Sequence, residues 1–366
     1  MVNRRNLLIG AGAVVVAGAA AVTYEVRQMG SMDSYDAAMA ALRAPLPASP
    51  DAADLIRFAT LAANSHNTQA WRFRVADNGI NIVPDLTRAT PVVDPDNHHL
   101  FISLGCAAEN LCVAAASRGM PGDVRFDPAT TEIRFSHTTG AATETALSDA
   151  IPLRQSTRGL YDGSALTPAE LGLLASAARV SGVDLVLITD RAQIGRMSDL
   201  IAEGNTAQLT DPAFMAELKH WMRFNPRHAL AMGDGLFSAA SGNPSLPDWL
   251  GPSIIDWVFK AAGDNTKTAA KIASSAGMAV FVGTGENAAA WVQVGRACQR
   301  FALQATAMGL KHAFLNQPVE VANLRPDLAS LIGMPGRRPD LVMRFGRGAA
   351  MPFSPRRPVH AALVEA

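Results

Sequence analysis

A polar run in the first third of this 366-residue chain carries residues that could do chemistry: Asn64-Ser65-His66-Asn67-Thr68-Gln69. It lies between an apolar helical pattern at residues 55–62 and a strand-like pattern at residues 71–75. Helix ends leave backbone hydrogen-bonding groups free, and Ser, Asn and Gln add neutral side-chain donors and acceptors. The run could therefore contact the edge of a planar heterocycle without imposing a charge. An ordinary turn is the alternative, because Asn and Ser favour turns.

Two basic groups follow later in the chain. The first is Arg154-Gln155-Ser156-Thr157-Arg158, and the second combines Arg347 with Arg356-Arg357 near the C-terminus. The rigid fork of an arginine guanidinium suits phosphate and carbonyl oxygens. Both groups are therefore candidates for contact with an anionic ligand, and a solvated basic segment is the alternative for each.

The spacing of the polar run resembles a known family motif. Ser65-x-Asn67-x-Gln69-x-Trp71 is similar to the PS-x-x-N-x-QPW loop of the flavin-dependent nitroreductases, with Ala70 standing where that family has Pro. The resemblance implies that this loop touches the ring and ribityl chain of FMN where two subunits meet.

The first basic group resembles the same family's N-terminal R-x-S-x-R motif, and the C-terminal group takes the place of its phosphate-binding cations. The resemblance further places Asn316 and Gln317, which follow Gly309 in the sequence, at the edge of the flavin ring. It implies the following FMN contacts: Asn64, Ser65, Asn67, Gln69, Arg154, Ser156, Arg158, Asn316, Gln317, Arg347, Arg356 and Arg357.

The implied function is that of an FMN-dependent oxidoreductase. It would reduce nitro compounds, quinones or related acceptors with electrons from NAD(P)H or another donor, and the flavin would carry the chemistry without a side-chain nucleophile. The alternative is a protein that sequesters or stores flavin behind a closed lid and turns over little.

Composition excludes other classes of function. Formal net charge is zero and aromatic residues make up 6% of the chain, so nucleic-acid binding is not predicted. Cys106, Cys112 and Cys298 show neither paired nor metal-ligand spacing, which argues against a metal site and a disulfide framework. The adjacent His98-His99 is expected to be structural, because neighbouring rings do not share a helical face and the nearby acids suit helix capping.

An internal repeat predicts the architecture. Helical patterns at residues 98–118 and 289–308 superpose at a constant offset, since Gly105 matches Gly295 and Gly119 matches Gly309, with 295 − 105 = 190 and 309 − 119 = 190. We therefore predict an α+β fold of two fused nitroreductase-like halves. Each half would be a mixed sheet packed with helices, and together they would form an intramolecular pseudo-dimer.

The predicted organisation comprises an export signal or anchor with linker at residues 1–30, a first half at 31–150 and a second half at 151–366. An insertion at residues 203–271 is a possible lid, a combination that resembles the Acg-like branch of the family. The polar loop comes from the first half and the R-x-S-x-R motif from the second, and neither motif recurs in the other half. One FMN per chain is therefore expected, in a pseudo-dimeric monomer or a dimer.

The N-terminus predicts export. Arg4-Arg5 precedes an Ala/Gly/Val-rich run, an order that resembles a twin-arginine signal. A periplasmic location is expected, with attachment to the inner membrane through this segment as the alternative. No other membrane contact is predicted.

Overall fold

The first half combines a four-stranded sheet with four helices. The computed structural model describes residues 28–77, 79–258 and 260–364, so most of the predicted export segment lies outside the described residues. The helices of this half are α1 (Met32–Leu42), α2 (Ala52–Thr60), α3 (His98–Ala116) and α4 (Thr145–Ala150), and its strands are β1 (Trp71–Ala76), β2 (Gly79–Pro84), β3 (Gly122–Asp127) and β4 (Glu132–His137).

Alternating side chains explain how this sheet packs. Trp71 and Phe73 on β1 are buried while Arg72 between them is exposed, the pattern of a strand with one face on a core. The strand order is β1-β2-β4-β3, and each neighbouring pair is antiparallel. Ile133 and Phe135 on β4 belong to the same core as Leu104 and Leu111 on α3, so the sheet covers that helix.

The second half repeats the plan around a longer chain. Its strands are β5 (Val183–Ile188), β6 (Met222–Arg223), β7 (Leu236–Phe237), β8 (Gly277–Gly283), β9 (Lys311–Phe314) and β10 (Leu341–Gly346). Its helices are α5 (Pro168–Ala177), α6 (Arg191–Thr210), α7 (Pro212–Trp221), α8 (Pro226–Met232), α9 (Gly251–Val258), α10 (Ala261–Ala273), α11 (Ala288–Ala307), α12 (Gln317–Glu320) and α13 (Arg325–Leu331). The main sheet has the order β5-β8-β10-β9, again antiparallel throughout, and β8 is buried along its whole length.

Helices α3 and α11 join the halves through reciprocal glycine contacts. A Cβ added at Gly105 would lie 2.1 Å from the carbonyl oxygen of Val292, and one added at Gly295 would lie 2.0 Å from that of Ile102. The offset of 190 that relates the two glycines also relates Ile102 to Val292 (292 − 102 = 190). Each contact is therefore the twofold image of the other, as in a dimer interface. No side chain fits where the two backbones touch.

This arrangement confirms the predicted α+β class and the pairing of two halves. It corrects one detail, because both four-stranded sheets are antiparallel rather than mixed. Neighbouring strands run in opposite directions, and hairpins or longer connections join them. A parallel pair would have required a crossover connection that returns the chain to the same end of the sheet.

The insertion begins within α6 and ends within α10, and it packs on the first half. Tyr35 and Met39 of α1 form a small core with Ala229, Phe237 and Ala240 of the insertion. In the described part of the chain, one helix, α3, is long and apolar enough to span a membrane, and it is the buried core helix of this fold.

Candidate functional site

A cavity of about 370 Å³ lies where the polar loop, α3, the second sheet and the insertion meet. Its wall contains the apolar side chains of Ile102, Leu209, Phe214, Leu218, Met222, Leu236, Phe314 and Leu315. It also contains the neutral polar side chains of Asn64, Ser65, Ser103, Asn205, Gln208, Asn316 and Gln317. An apolar surface with a few convergent polar groups is the usual make-up of a small-molecule site.

The polar loop reaches this cavity in a strained backbone conformation. His66, Asn67 and Gln69 have φ values of 44°, 54° and 54°, in the left-handed region that non-glycine residues rarely adopt. Such strain persists where the surroundings hold it in place, and it clusters at ligand sites. Here the Asn64 side chain accepts the Gln69 N–H at 2.9 Å, and Ser103 of α3 accepts the Ser65 N–H at 3.1 Å.

Positive charge gathers at one part of the wall. Arg158 lines the cavity and has no hydrogen bond or salt bridge to any described residue. Beside it, Arg344 donates to the carbonyl oxygens of Gly159 and Lys271 at 2.6 and 3.0 Å. Burial, with the Arg344 cation second, lowers the pKa of the Lys271 ammonium. Asp264 also lines the cavity and opposes this lowering, but Arg158, Arg344, Lys267 and Lys271 outnumber the acids of the wall, which favours an anionic ligand.

Arg154 lies behind this wall with unused donors. It is 3% exposed and gives one hydrogen bond, from Nη2 to the Leu61 carbonyl at 2.9 Å, while Nε and Nη1 have no partner in the described structure. Burial lowers the pKa of its guanidinium to about 10. Cys106, which lines the cavity, is close enough to interact with its charge. Buried donors are normally satisfied, so this side chain has capacity left for a ligand.

Four of the predicted contacts hold the protein together instead of lining the cavity. Asn67 donates from Nδ2 to the carbonyls of Gly235 and Pro355, both at 3.0 Å, and Gln69 donates to that of Gly233 at 2.9 Å. Arg356 donates to the Thr60 and Ala62 carbonyls at the end of α2 and to Asn67 Oδ1. Arg357 donates its backbone N–H to Gln69 Oε1 at 3.0 Å. These residues join the loop, the insertion and the C-terminal tail.

Two further predicted residues also lie outside the cavity lining. Arg347 forms a salt bridge with Glu170 at the start of α5. Ser156 is half-buried and forms a backbone bridge with His312 on β9. Of the predicted set, the structure thus brings Asn64, Ser65, Arg158, Asn316 and Gln317 together around the cavity.

Sequence reasoning missed several wall residues that the fold supplies from distant segments. Lys267 and Lys271 lie four residues apart on α10, so they share one helix face. That spacing could have identified them as a pair. Nothing in the local sequence identifies Arg344 of β10 as a neighbour of Arg158, because the pairing of strands brings that position to the site.

His98 and His99 correct an expectation about adjacent residues. Their rings are in contact, with centroids 4.7 Å apart and an interplanar angle of 32°, and both are buried. His98 Nε2 lies 2.8 Å from Asp340 Oδ1, while His99 lines the cavity. Asp94 does cap the helix as expected, since its two oxygens accept the N–H groups of His99 and Leu100. One of the two histidines is therefore structural, and the other faces the candidate site.

Comparison with known proteins gives sequence relatives over most of the chain. No family model matches it. Two proteins from different strains of Mycobacterium tuberculosis, both carrying the provisional name NAD(P)H nitroreductase, are 26% identical over 332 residues, which is 87% of this chain and 92% of theirs.

Solved structures give partial matches. An NADPH:FMN oxidoreductase from Vibrio harveyi in complex with NAD+ is 14% identical, with a TM-score of 0.37, over 60% of this chain and 76% of that one. A nitroreductase with bound FMN from Desulfitobacterium hafniense is 14% identical, with a TM-score of 0.36, over 60% of this chain and 98% of that one.

Proposed function

We propose that this chain, which its sequence similarity relates to the nitroreductase family, is an FMN-dependent oxidoreductase. The cavity at the junction of the two halves would hold the flavin. The observation that carries the proposal is Arg158, a cation without a protein partner in the described structure, in a cavity whose wall also carries apolar and amide side chains.

The residues present fit FMN by their chemistry. The flavin ring is planar and apolar on its faces, with hydrogen-bonding atoms along its edge, and its side chain ends in a phosphate. Amides of Asn64, Asn316 and Gln317 offer neutral donors and acceptors for the ring edge, and Gln317 Oε1 is buried without a partner in the described structure. Arg158, Lys271 and the unused N–H groups of Arg154 offer positive charge for the phosphate or for the reduced ring.

When bound, FMN supplies two-electron redox chemistry, and the protein orients it and sets its electrostatic surroundings. The cations beside the cavity would favour the anionic reduced form over the neutral oxidised ring. The apolar side chains of Phe214, Leu218 and Met222 in the cavity wall would exclude water from the bound flavin ring. Nitro compounds, quinones or related acceptors are the proposed substrates, and NAD(P)H is the proposed donor.

The direct experiment is an absorbance spectrum of the purified protein, recorded anaerobically before and after addition of NADPH or NADH. An oxidised flavin spectrum that bleaches with the donor and returns with menadione or a nitroaromatic compound is the expected result. A protein that takes up no FMN from solution would overturn the proposal. A flavin that stays oxidised with either nucleotide but is reduced by dithionite would exclude NAD(P)H as the donor.

We also propose that the chain belongs to the Acg-like branch and is exported by a twin-arginine route. The two halves, the long insertion and the Arg4-Arg5 pair support this. Export in the folded state would let the cofactor load in the cytoplasm. Replacing Arg4 and Arg5 with Lys preserves the charge, so loss of the protein from the periplasmic fraction is the expected result, and unchanged export would point to another route.

A further inference from the structure

We propose that Glu320 and His99 form a proton-donating pair in the wall of the cavity, which supplies the proton taken up when an acceptor is reduced there. The inference rests on the proposed function, because it assigns these two residues to the reaction of the same site.

Three separate segments bring the pair together. His99 lies at the start of α3, Glu320 ends α12, and both line the cavity. His99 Nδ1 is 3.7 Å from Glu320 Oε1, and Gln208 of α6 donates to Glu320 Oε2 at 2.6 Å. Gln208 thus holds one carboxyl oxygen in place, and the other faces the imidazole. A small shift of either side chain would close the remaining gap to hydrogen-bond distance.

The imidazole of His99 is held in position by its neighbours, and one of its nitrogens lacks a close hydrogen-bond partner. The ring of His98 contacts it at a tilt, and His98 is itself paired with Asp340. The backbone of Asp340 interacts with the His99 ring, but Nε2 is buried and makes no hydrogen bond of normal geometry in the described structure. Since buried ring nitrogens are normally paired, a free one in a cavity wall is available to a ligand or to a proton in transit.

Burial favours the protonated form of the Glu320 carboxyl group and the neutral form of the His99 ring. The other titratable groups that face the pair are His98, Asp94, His66 and Glu217. Burial is the largest effect on each member, and it lowers the pKa of His99 and raises that of Glu320. Asp94 and Glu217 raise the pKa of Glu320 further, against the opposing effects of His99 and Gln208. Glu320 therefore retains its proton to a higher pH than an exposed glutamate does, while His99 is neutral.

The proposed step balances for a quinone acceptor. Reduction to the hydroquinone adds two electrons and two protons. The electron pair and one hydrogen would come from the reduced flavin. The second proton would leave the Glu320 carboxyl for Nδ1 of His99, while the proton on Nε2 of the same ring passes to the acceptor oxygen, so the imidazole stays neutral and changes tautomer. Glu320 would be left as a carboxylate, and solvent would return its proton as the His99 ring regains its first tautomer.

The test follows reoxidation of the photoreduced flavoprotein by menadione in a stopped-flow instrument, across pH and in both H2O and D2O. Glu320→Gln keeps the hydrogen bond from Gln208 within reach but cannot donate a carboxyl proton. Because general acid catalysis contributes about 10²–10⁴-fold, we expect Glu320→Gln and His99→Gln each to slow the step by at least about 10²-fold. Both variants should also lose the pH dependence and the solvent isotope effect.

A matched control is available in the insertion. His228 Nδ1 lies 2.8 Å from Asp248 Oδ1, a second histidine–carboxylate pair that does not line this cavity. His228→Gln should keep the wild-type rate and pH profile. If Glu320→Gln loses its flavin, Glu320→Asp replaces it, because this change keeps the carboxyl group but withdraws it from His99, and a slower step is again expected.

An infrared difference spectrum provides a readout that does not depend on turnover. On flavin reduction, the wild-type protein should show a protonated carboxyl band that shifts in D2O and is missing in Glu320→Gln. A variant that keeps its FMN, reacts at the wild-type rate and retains its isotope effect would overturn the inference while leaving the proposed function intact. A wild-type protein that binds no FMN would instead contradict the proposed function.

Discussion

At the scale of single residues, the structure separates arginines that hold the fold from one that is free to hold a ligand. Arg356 uses its guanidinium on the carbonyl oxygens at the end of α2, and Arg347 pairs with Glu170 on the surface. Arg158 has no such partner among the described residues and faces the cavity. Sequence placed all three near a ligand because their residue type suits phosphate. The type of a residue does not reveal whether a carbonyl or carboxylate of the folded protein will form a hydrogen bond or salt bridge with it.

Arg158→Ala should weaken FMN binding, with Arg347→Ala as the matched control. A charge-assisted hydrogen bond contributes about 1.5–3 kcal/mol, so the dissociation constant should rise about 10- to 100-fold. Quenching of flavin fluorescence, titrated into apoprotein, measures it. Arg347→Ala should bind like the wild type. Equal affinities for wild type and Arg158→Ala would remove Arg158 from the site.

A buried histidine predicts the acid sensitivity of the apoprotein. His312 is fully buried, neither ring nitrogen has a partner in the described structure, and burial lowers its pKa to about 3. Below about pH 6.5 the unfolded chain binds a proton there that the folded protein does not. Stability contributed by this group is therefore present above that pH and is lost as the pH falls toward the folded-state value.

His312→Leu should remove that loss. Between pH 7 and pH 5 the wild-type free energy of unfolding should fall by about 2 kcal/mol more than that of the variant. Urea unfolding at the two pH values measures the difference. His66 and His98 have the same sign of shift, and Asp340 has the opposite effect, but these groups are common to both proteins and cancel. An identical pH dependence in the two proteins would show that His312 does not titrate as described.

At the scale of elements, a glycine-rich turn of the insertion is fastened to the polar loop. The backbone of Gly233-Asp234-Gly235 exchanges hydrogen bonds with Asn67 and Gln69, and Gly233 and Gly235 have φ values of 64° and 73°. Asp234 sits between Arg88 and Arg223, whose Nη2 is 2.6 Å from its Oδ1. The loop therefore supports the insertion as well as the cavity.

Asp234→Asn should loosen this attachment, because it leaves two arginines without their carboxylate. Breaking a buried ion pair costs about 3–5 kcal/mol. The amides of Gly235 and neighbouring insertion residues should exchange hydrogen faster, as measured by mass spectrometry. Glu203→Ala removes an exposed acid of the same insertion, away from the turn, and should leave that exchange unchanged. Equal exchange in the two variants would show that the pair with Asp234 does not hold the turn.

Helices and strands could be predicted from the sequence where short-range interactions determine them. The capping box of Thr167 and Glu170, the glycines that end α3 and α11, and the strand at β10 all follow from short-range chemistry. The reciprocal packing of Gly105 and Gly295 was accessible because the repeat left a constant offset. The contact between Glu320 and Gln208 could not be predicted from the sequence, since it depends on how the insertion folds back over the second sheet.

At the scale of the whole molecule, both halves of the chain contribute residues to the cavity. The polar loop belongs to the first half, and Arg158, Asn316 and Gln317 belong to the second. The insertion completes the wall from α6 through α10. Because α6 and α10 carry Asn205, Gln208, Lys267 and Lys271, removing the whole of residues 203–271 would dismantle the cavity itself.

A shorter replacement, of residues 211–260 only, tests whether this middle part of the insertion covers the cavity while α6 and α10 keep their place in its wall. Asn205 Nδ2 donates to Asp264 Oδ2 at 3.0 Å, so the end of α6 lies beside the start of α10. Replacing residues 211–260 with a short Gly/Ser linker keeps both helices and removes Phe214, Leu218, Met222 and Leu236 from the cavity. We expect bulky quinones to reoxidise bound flavin faster, because access no longer waits for opening of the cover. A shortened protein that keeps its FMN and reacts no faster would show that this segment does not limit access.

The central claim, a single flavin site built by both halves, is tested most directly by counting cofactor. Apoprotein is saturated with FMN, freed of excess by gel filtration and denatured with acid, and the released flavin is measured against protein concentration. One FMN per chain is predicted, since the loop and the cavity cations occur once each in these positions. A ratio near two would reveal a second site between the halves, and a ratio near zero would contradict the assignment of this cavity to FMN.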